Sequence, residues 1–113
     1  MTPAIQSRLG GRQIVILLLA LATGLIHLWL GLNAGLIMFI LNGLGYLALA
    51  AAGYLPIPPL ASLRVWARWA LLAFTAVTII GWIFIGERNA IGFIAKAIEV
   101  ALVILLIVDL RRK

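Results

Sequence analysis

Four apolar stretches, at about positions 13–32, 34–55, 65–85 and 90–110, take up most of the 113-residue chain. Each is close to the roughly 20 residues with which an α-helix crosses the hydrocarbon of a bilayer. Strands do not run that long, and inside lipid every backbone N–H and C=O must find its partner within its own segment. The expected fold is all-α: a polytopic transmembrane four-helix bundle, one domain over residues 1–113, with both termini on the same side. Composition agrees. The chain is 65% hydrophobic and 11% charged, against roughly 45–50% and 25% in an ordinary soluble domain. A globule of this size has too little interior to hide the excess. These proportions exclude a soluble enzyme and a disordered tail, and the lack of cysteine excludes a disulfide-stapled domain.

The connections are short. Asn33 between Gly31 and Gly35 reads as a tight turn, making the first two helices an antiparallel pair. The run Leu55-Pro56-Ile57-Pro58-Pro59-Leu60 is not helical throughout, because proline lacks the N–H and restricts the residue before it. Its apolar character places it in the membrane interface. Gly86-Glu87-Arg88-Asn89 makes the third turn.

The net charge of +6 does not form the basic stripe with interleaved aromatics that nucleic acid requires, so no nucleic-acid partner is expected. The charges instead punctuate the spans. Arg8 and Arg12 precede the first, Arg64 and Arg68 open the third, and Arg111, Arg112 and Lys113 close the fourth. With four spans these places share one side, while the other has Arg88 beside Glu87, with Lys96 a little inside the fourth span. The positive-inside rule then makes both termini cytoplasmic in a multi-pass protein of the inner or plasma membrane. Arg8, Arg12 and the following Ile14–Leu19 and Ala20-Leu21-Ala22 also have the look of a signal peptide. Hydrophobicity continues to Leu32, however, and cleavage would remove most of the first span.

An ionisable group within a bilayer is costly, roughly 2.5–3.5 kcal/mol on insertion scales, so its place is informative. At about 1.5 Å rise per residue, His27 lies roughly 9 Å below Asn33 and Asn42 roughly 12 Å below Ala34. Thr78 lies roughly 11 Å below Ile85, and Lys96 and Glu99 roughly 9 and 14 Å below Ala90. Four helices thus each bring a polar group to one layer of the outer half. Ala20, Thr23, Gly24 and Gly31 share the His27 face, and Gly35, Met38, Gly45 and Tyr46 that of Asn42. Such small-residue strips let membrane helices approach closely. Gly92, Lys96, Glu99 and Val103 share a face of the fourth helix. The expected site is an internal cluster of His27, Asn42, Lys96 and Glu99, helped by Thr75 and Thr78. Two readings stay open: a proton, ion or headgroup site, or interhelical hydrogen bonds that fix register beside a self-neutralising Lys96–Glu99 pair.

Trp29, Trp66, Trp69 and Trp82 fall towards span ends and read as interface anchors. Arg64 and Arg68, with Trp66 and Trp69, are candidates for lipid headgroups. Asp109 lies three and four residues before Arg112 and Lys113, which reads as a surface ion pair. One histidine and no cysteine leave no zinc or iron–sulfur site from this chain alone. Haem held by two histidines would need a second His27 from a partner. A Schiff base at Lys96 with Glu99 as counter-ion meets the objection that four short helices enclose little space. No nucleophile-elbow, phosphate-loop or metalloprotease motif occurs, and Ser7 and Ser62 have no histidine near them in sequence. No cofactor is expected.

Length and span count are similar to the small multidrug resistance transporters. That family depends on an acidic residue in its first helix, where this chain has His27 and no acid, so no site residue carries over. The segments Gly86-Glu87-Arg88-Asn89-Ala90-Ile91-Gly92, Lys96-Ala97-Ile98-Glu99-Val100 and Gly24-Leu25-Ile26-His27-Leu28-Trp29-Leu30-Gly31 resemble uncharacterised four-span prokaryotic membrane proteins, grouped as domains of unknown function. That resemblance implies the fold and no activity. The functional expectation is a non-enzymatic accessory or structural subunit of a larger membrane complex, or a self-associating bundle. Its rival is a small homo-oligomeric channel or transporter using Glu99 with His27 and Lys96. An enzyme for a lipid-soluble substrate comes third.

Overall fold

The structure is a computed structural model that describes residues 10–56, 58–85 and 89–111. It has four α-helices, α1 (Gly11–Ala34), α2 (Ile37–Tyr54), α3 (Arg64–Ile85) and α4 (Ala90–Arg111), with a 3₁₀ segment (Pro58–Leu63) before α3. All four are long and apolar enough to cross a membrane. Arg8, Ser7, the Gly86-Glu87-Arg88 part of the third turn, Arg112 and Lys113 lie outside the described residues.

The helix ends have local causes. Gly35 closes α1 in the left-handed region, φ 68°, which only glycine enters at little cost, and its N–H bonds the Gly31 carbonyl. Leu36 is extended, so α2 starts later than its apolar run. Pro58 and Pro59 form the first turn of the 3₁₀ segment, where a missing N–H loses nothing. The proline run is thus partly helical, though not α-helical. Asn89 starts α4 by accepting the Gly92 N–H on its side chain, 2.7 Å.

The helices form a square. α1 and α3 each pack against both α2 and α4, and across the α2/α4 diagonal the Tyr54 side chain reaches Asp109. Buried positions alternate three and four residues apart, as shallow-angle bundle packing needs: 16, 20, 23 and 27 in α1, 43, 46, 50 and 53 in α2, and 95, 99, 102, 106 and 109 in α4. The α1/α2 pair is the tightest. A Cβ on Gly43 would stand 2.5 Å from the Gly24 carbonyl oxygen and 2.8 Å from the Leu28 nitrogen, so the two backbones touch where only glycine fits.

The core is uneven along the bundle. Ile16, Ala20, Tyr46, Ala50, Tyr54, Leu71, Leu102 and Leu106 form one buried cluster, nearer the end where α1 begins and α4 finishes. The buried residues of α3 are Ala67, Leu71 and Thr75, all in its first two thirds. α3 has three buried residues, against six in α1, five in α2 and six in α4. The bundle is therefore tight at the end holding the chain termini and splayed at the end holding the Asn33 and Asn89 turns.

Candidate functional site: two polar centres and a cavity

Two carboxylates are buried in the bundle, about 15 Å apart along α4 by helical rise. Glu99 is fully buried, near the middle of α4. Its Oε2 accepts the Thr23 hydroxyl at 2.5 Å, and its Oε1 accepts the Lys96 ammonium. His27 sits one turn beyond Thr23. Its Nδ1 is 2.9 Å from the Thr23 carbonyl oxygen and 3.9 Å from Glu99 Oε2. A carbonyl can only accept, so the Nδ1 proton points at Thr23 and fixes the ring. Phe39 and Tyr46 flank the imidazole, with ring centroids 5.5 and 6.1 Å away. Three of the four clustered residues expected from depth, His27, Lys96 and Glu99, thus meet, joined by Thr23.

Asn42 departs from that expectation. It gives an amide N–H to Thr78 Oγ1 at 2.9 Å, linking α2 to α3, and Thr78 donates to the Phe74 carbonyl. Thr75 is spent within its helix, on the Leu71 carbonyl. The reason is the square arrangement: Asn42 faces α3, its immediate neighbour, while Glu99 faces α1.

The second centre escaped the sequence reading. Asp109 is buried at the termini end, and side chains from three other helices converge on it. Arg12 of α1 donates to Oδ1 through Nε and Nη2, at 3.1 and 2.9 Å, with Gln13 Nε2 at 3.4 Å. The Tyr54 hydroxyl of α2 donates to Oδ2 at 2.8 Å, and Arg68 Nη1 of α3 lies 3.4 Å from it. Arg68 also donates Nε to the Gly53 carbonyl at 2.7 Å and lays its guanidinium over the Tyr54 ring, 4.3 Å from the centroid.

One expectation changes in consequence. Asp109 is an interior acceptor and not a surface residue, because it continues the inward seam of Glu99, Leu102 and Leu106, while the expected pairing with Arg112 and Lys113 lies outside the described residues. Arg68, expected at headgroups, points its guanidinium at Asp109, since a buried carboxylate needs cationic partners. Arg64 is half-buried, and Trp66, Trp69 and Trp29 are exposed on the outer surface. Trp82 differs from the other three: it is half-buried, edge-on to Phe93 at 5.2 Å, with the Lys96 ammonium 6.0 Å from its ring.

Trp82 belongs to the wall of a cavity of about 830 Å³, where the splayed turn ends of all four helices part. His27, Asn42, Thr78 and Lys96, one from each helix, line it. The remaining wall is largely apolar, including Phe39, Phe74, Leu41 and Val77. Glu99 is not in the wall; Lys96 and His27 stand between it and the cavity. Among the described residues no group of His, Cys, Asp and Glu is placed to hold a metal ion. No family model matches the chain, and neither a curated protein nor a solved structure shows significant similarity to it, so the expected family likeness gains no support.

Proposed function

We propose that this four-span protein is non-enzymatic and works by association within the bilayer, as an accessory or structural subunit of a larger membrane complex or as a self-associating bundle. The observation that carries this reading is the sparing cover on α3: nothing beyond Thr75 in that helix is buried, and Ile80 and Phe84 face outward, away from the cavity. Helices in lipid associate by close packing, and a helix so thinly packed on its own chain has a face to give to another. The carboxylates support the same reading. Both oxygens of Glu99 and of Asp109 accept hydrogen bonds from the bundle, and those from Thr23, Arg12 and Tyr54 join helices. In this proposal the termini end, with Arg12, Arg64, Arg68 and Arg111, lies in the cytoplasmic leaflet of the inner or plasma membrane.

In mild detergent or nanodiscs the particle should exceed the mass of one 12.2 kDa chain. The chain has no cysteine, so Ile80→Cys gives a clean crosslinking site that should capture a second copy or a defined partner. Recovery of isolated single chains only, with no Ile80→Cys product, contradicts the proposal. One observation favours a second reading, an ion- or proton-coupled channel or transporter: the cavity reaches His27 and Lys96, each one contact from Glu99. That reading expects Glu99→Gln to abolish coupled flux in liposomes, and unchanged flux removes it.

A further inference from the structure

Two guanidinium groups meet one carboxylate at the termini end, and the charges do not balance. Arg12 of α1 pairs with Asp109 Oδ1 at 2.9 Å, and Arg68 of α3 lies 3.4 Å from Oδ2. One negative charge set against two positive ones leaves a positive charge over. The other acidic side chains of the sequence do not offset it. Glu99 lies about 15 Å away by helical rise and is taken by Lys96. Glu87 belongs in sequence to the connection between α3 and α4. Access is one-sided as well. The Asp109 side chain is 1% exposed, whereas those of Arg12 and Arg68 are 31% and 17% exposed. A molecule arriving from outside therefore meets guanidinium and not carboxylate. Arg64, half-buried one turn before Arg68, adds charge of the same sign.

We infer that this end of the bundle holds the phosphate of an anionic phospholipid against Arg12 and Arg68. The inference goes beyond the association proposed above and does not depend on it. Charge sets the ligand class. A cation is repelled by the exposed part of the cluster, and a zwitterionic headgroup brings no net charge to offset the one left over. Guanidinium stays charged and is weakly hydrated, which suits contact with phosphate at a partly buried site. Depth sets the source. Arg12 and Arg68 reach the same carboxylate, so they stand at one level, and the exposed indoles of Trp66 and Trp69 bracket Arg68 in sequence. Indoles on the outer surface of a spanning helix sit at headgroup level, where lipid phosphates are. A headgroup role for Arg68 is thus compatible with its contact to Asp109, and Arg12 joins it.

The test uses the full chain in nanodiscs of equal parts phosphatidylglycerol and phosphatidylcholine with identical acyl chains. Native mass spectrometry after release should find one phosphatidylglycerol retained per chain. Its enrichment over phosphatidylcholine should be at least roughly fivefold, the factor that one basic charge at an anionic surface supplies. Equal retention of the two lipids by the unaltered chain overturns the inference. Arg12→Gln removes the surplus charge and should bring retention to parity, whereas Arg12→Lys keeps the charge and should keep the preference. Circular dichroism checks that both variants retain their helices, and parity in both overturns the charge assignment. Arg111 is exposed in the last turn of α4, at the same end. Arg111→Gln should leave the preference nearly intact. A fall as large as that of Arg12→Gln overturns the site, because the attraction then belongs to the whole basic surface. Inorganic phosphate should displace the retained lipid no more than chloride of equal ionic strength does. Displacement specific to phosphate overturns the lipid as occupant.

Discussion

Glu99 and Asp109 are both buried carboxylates on one face of α4, yet they hold different things together. Asp109 accepts hydrogen bonds from α1, α2 and α3, so among the described residues every one of its partners lies on another helix. Glu99 takes its charge partner from its own helix, Lys96 three residues earlier, and has one interhelical bond, from Thr23. The distinction matters because the unfolded reference for a membrane bundle is a set of separated helices already in the bilayer. The Lys96–Glu99 pair survives that separation and largely cancels from the stability of assembly. The contacts of Asp109 are all lost. Asp109 is therefore the clasp of the bundle, whereas Glu99 lets α4 carry Lys96 into the membrane next to the cavity.

The sharpest way to break this comparison is to remove the clasp. Asp109→Ala leaves Arg12 and Arg68 facing each other across a partly buried gap, and loss of one partner of a buried ion pair costs about 3–5 kcal/mol. Unfolding in bicelles should show a loss of that size; a loss below about 1 kcal/mol would mean that the guanidiniums reach water unaided. Gly43→Ala comes next. The helix is formed in both states, so the propensity gain of alanine cancels, and what remains is the push against Gly24 and Leu28 backbone, about 1–3 kcal/mol. Gly24→Ala, whose Cβ would meet its nearest neighbours at 3.1–3.2 Å, should cost less in the same assay.

Thr23→Val takes away the single interhelical bond of Glu99 and should cost only about 0.6 kcal/mol, the average for such bonds within membranes. A loss several times larger would make the two carboxylates equals and remove the distinction between them. Smallest of all is Asn42→Leu. It forfeits the bond to Thr78 but also removes a buried oxygen without a hydrogen bond, so the two effects offset and the stability change should lie within about 0.5 kcal/mol of zero.

The architecture was legible because four apolar runs leave the chain no other way to satisfy its backbone in lipid. The meeting of His27, Lys96 and Glu99 was legible from depth and helical face, which are local quantities. The burial of Asp109 was misread because Arg112 and Lys113 stand next to it in sequence, while its partners among the described residues are 97, 55 and 41 residues away. A signal was present all the same: the spacing of Glu99, Leu102, Leu106 and Asp109 runs three, four, three along the inward seam. Depth also brought Asn42 to the right layer without revealing that its partner is Thr78, since depth says nothing about which helices are neighbours. The inward turn of Trp82 likewise depends on how far α3 splays from α4, a property of packing that no single helix encodes.

Isosteric substitutions of the two carboxylates, compared in one bilayer, test the central claim most directly. Asp109→Asn and Glu99→Gln each remove one negative charge and keep the side-chain shape. Unfolding free energies measured by steric trapping in the same bicelles should fall at least about threefold further for Asp109→Asn than for Glu99→Gln, because only the first loses interhelical ion pairs to arginine. Equal losses, or a larger loss for Glu99→Gln, would contradict the account.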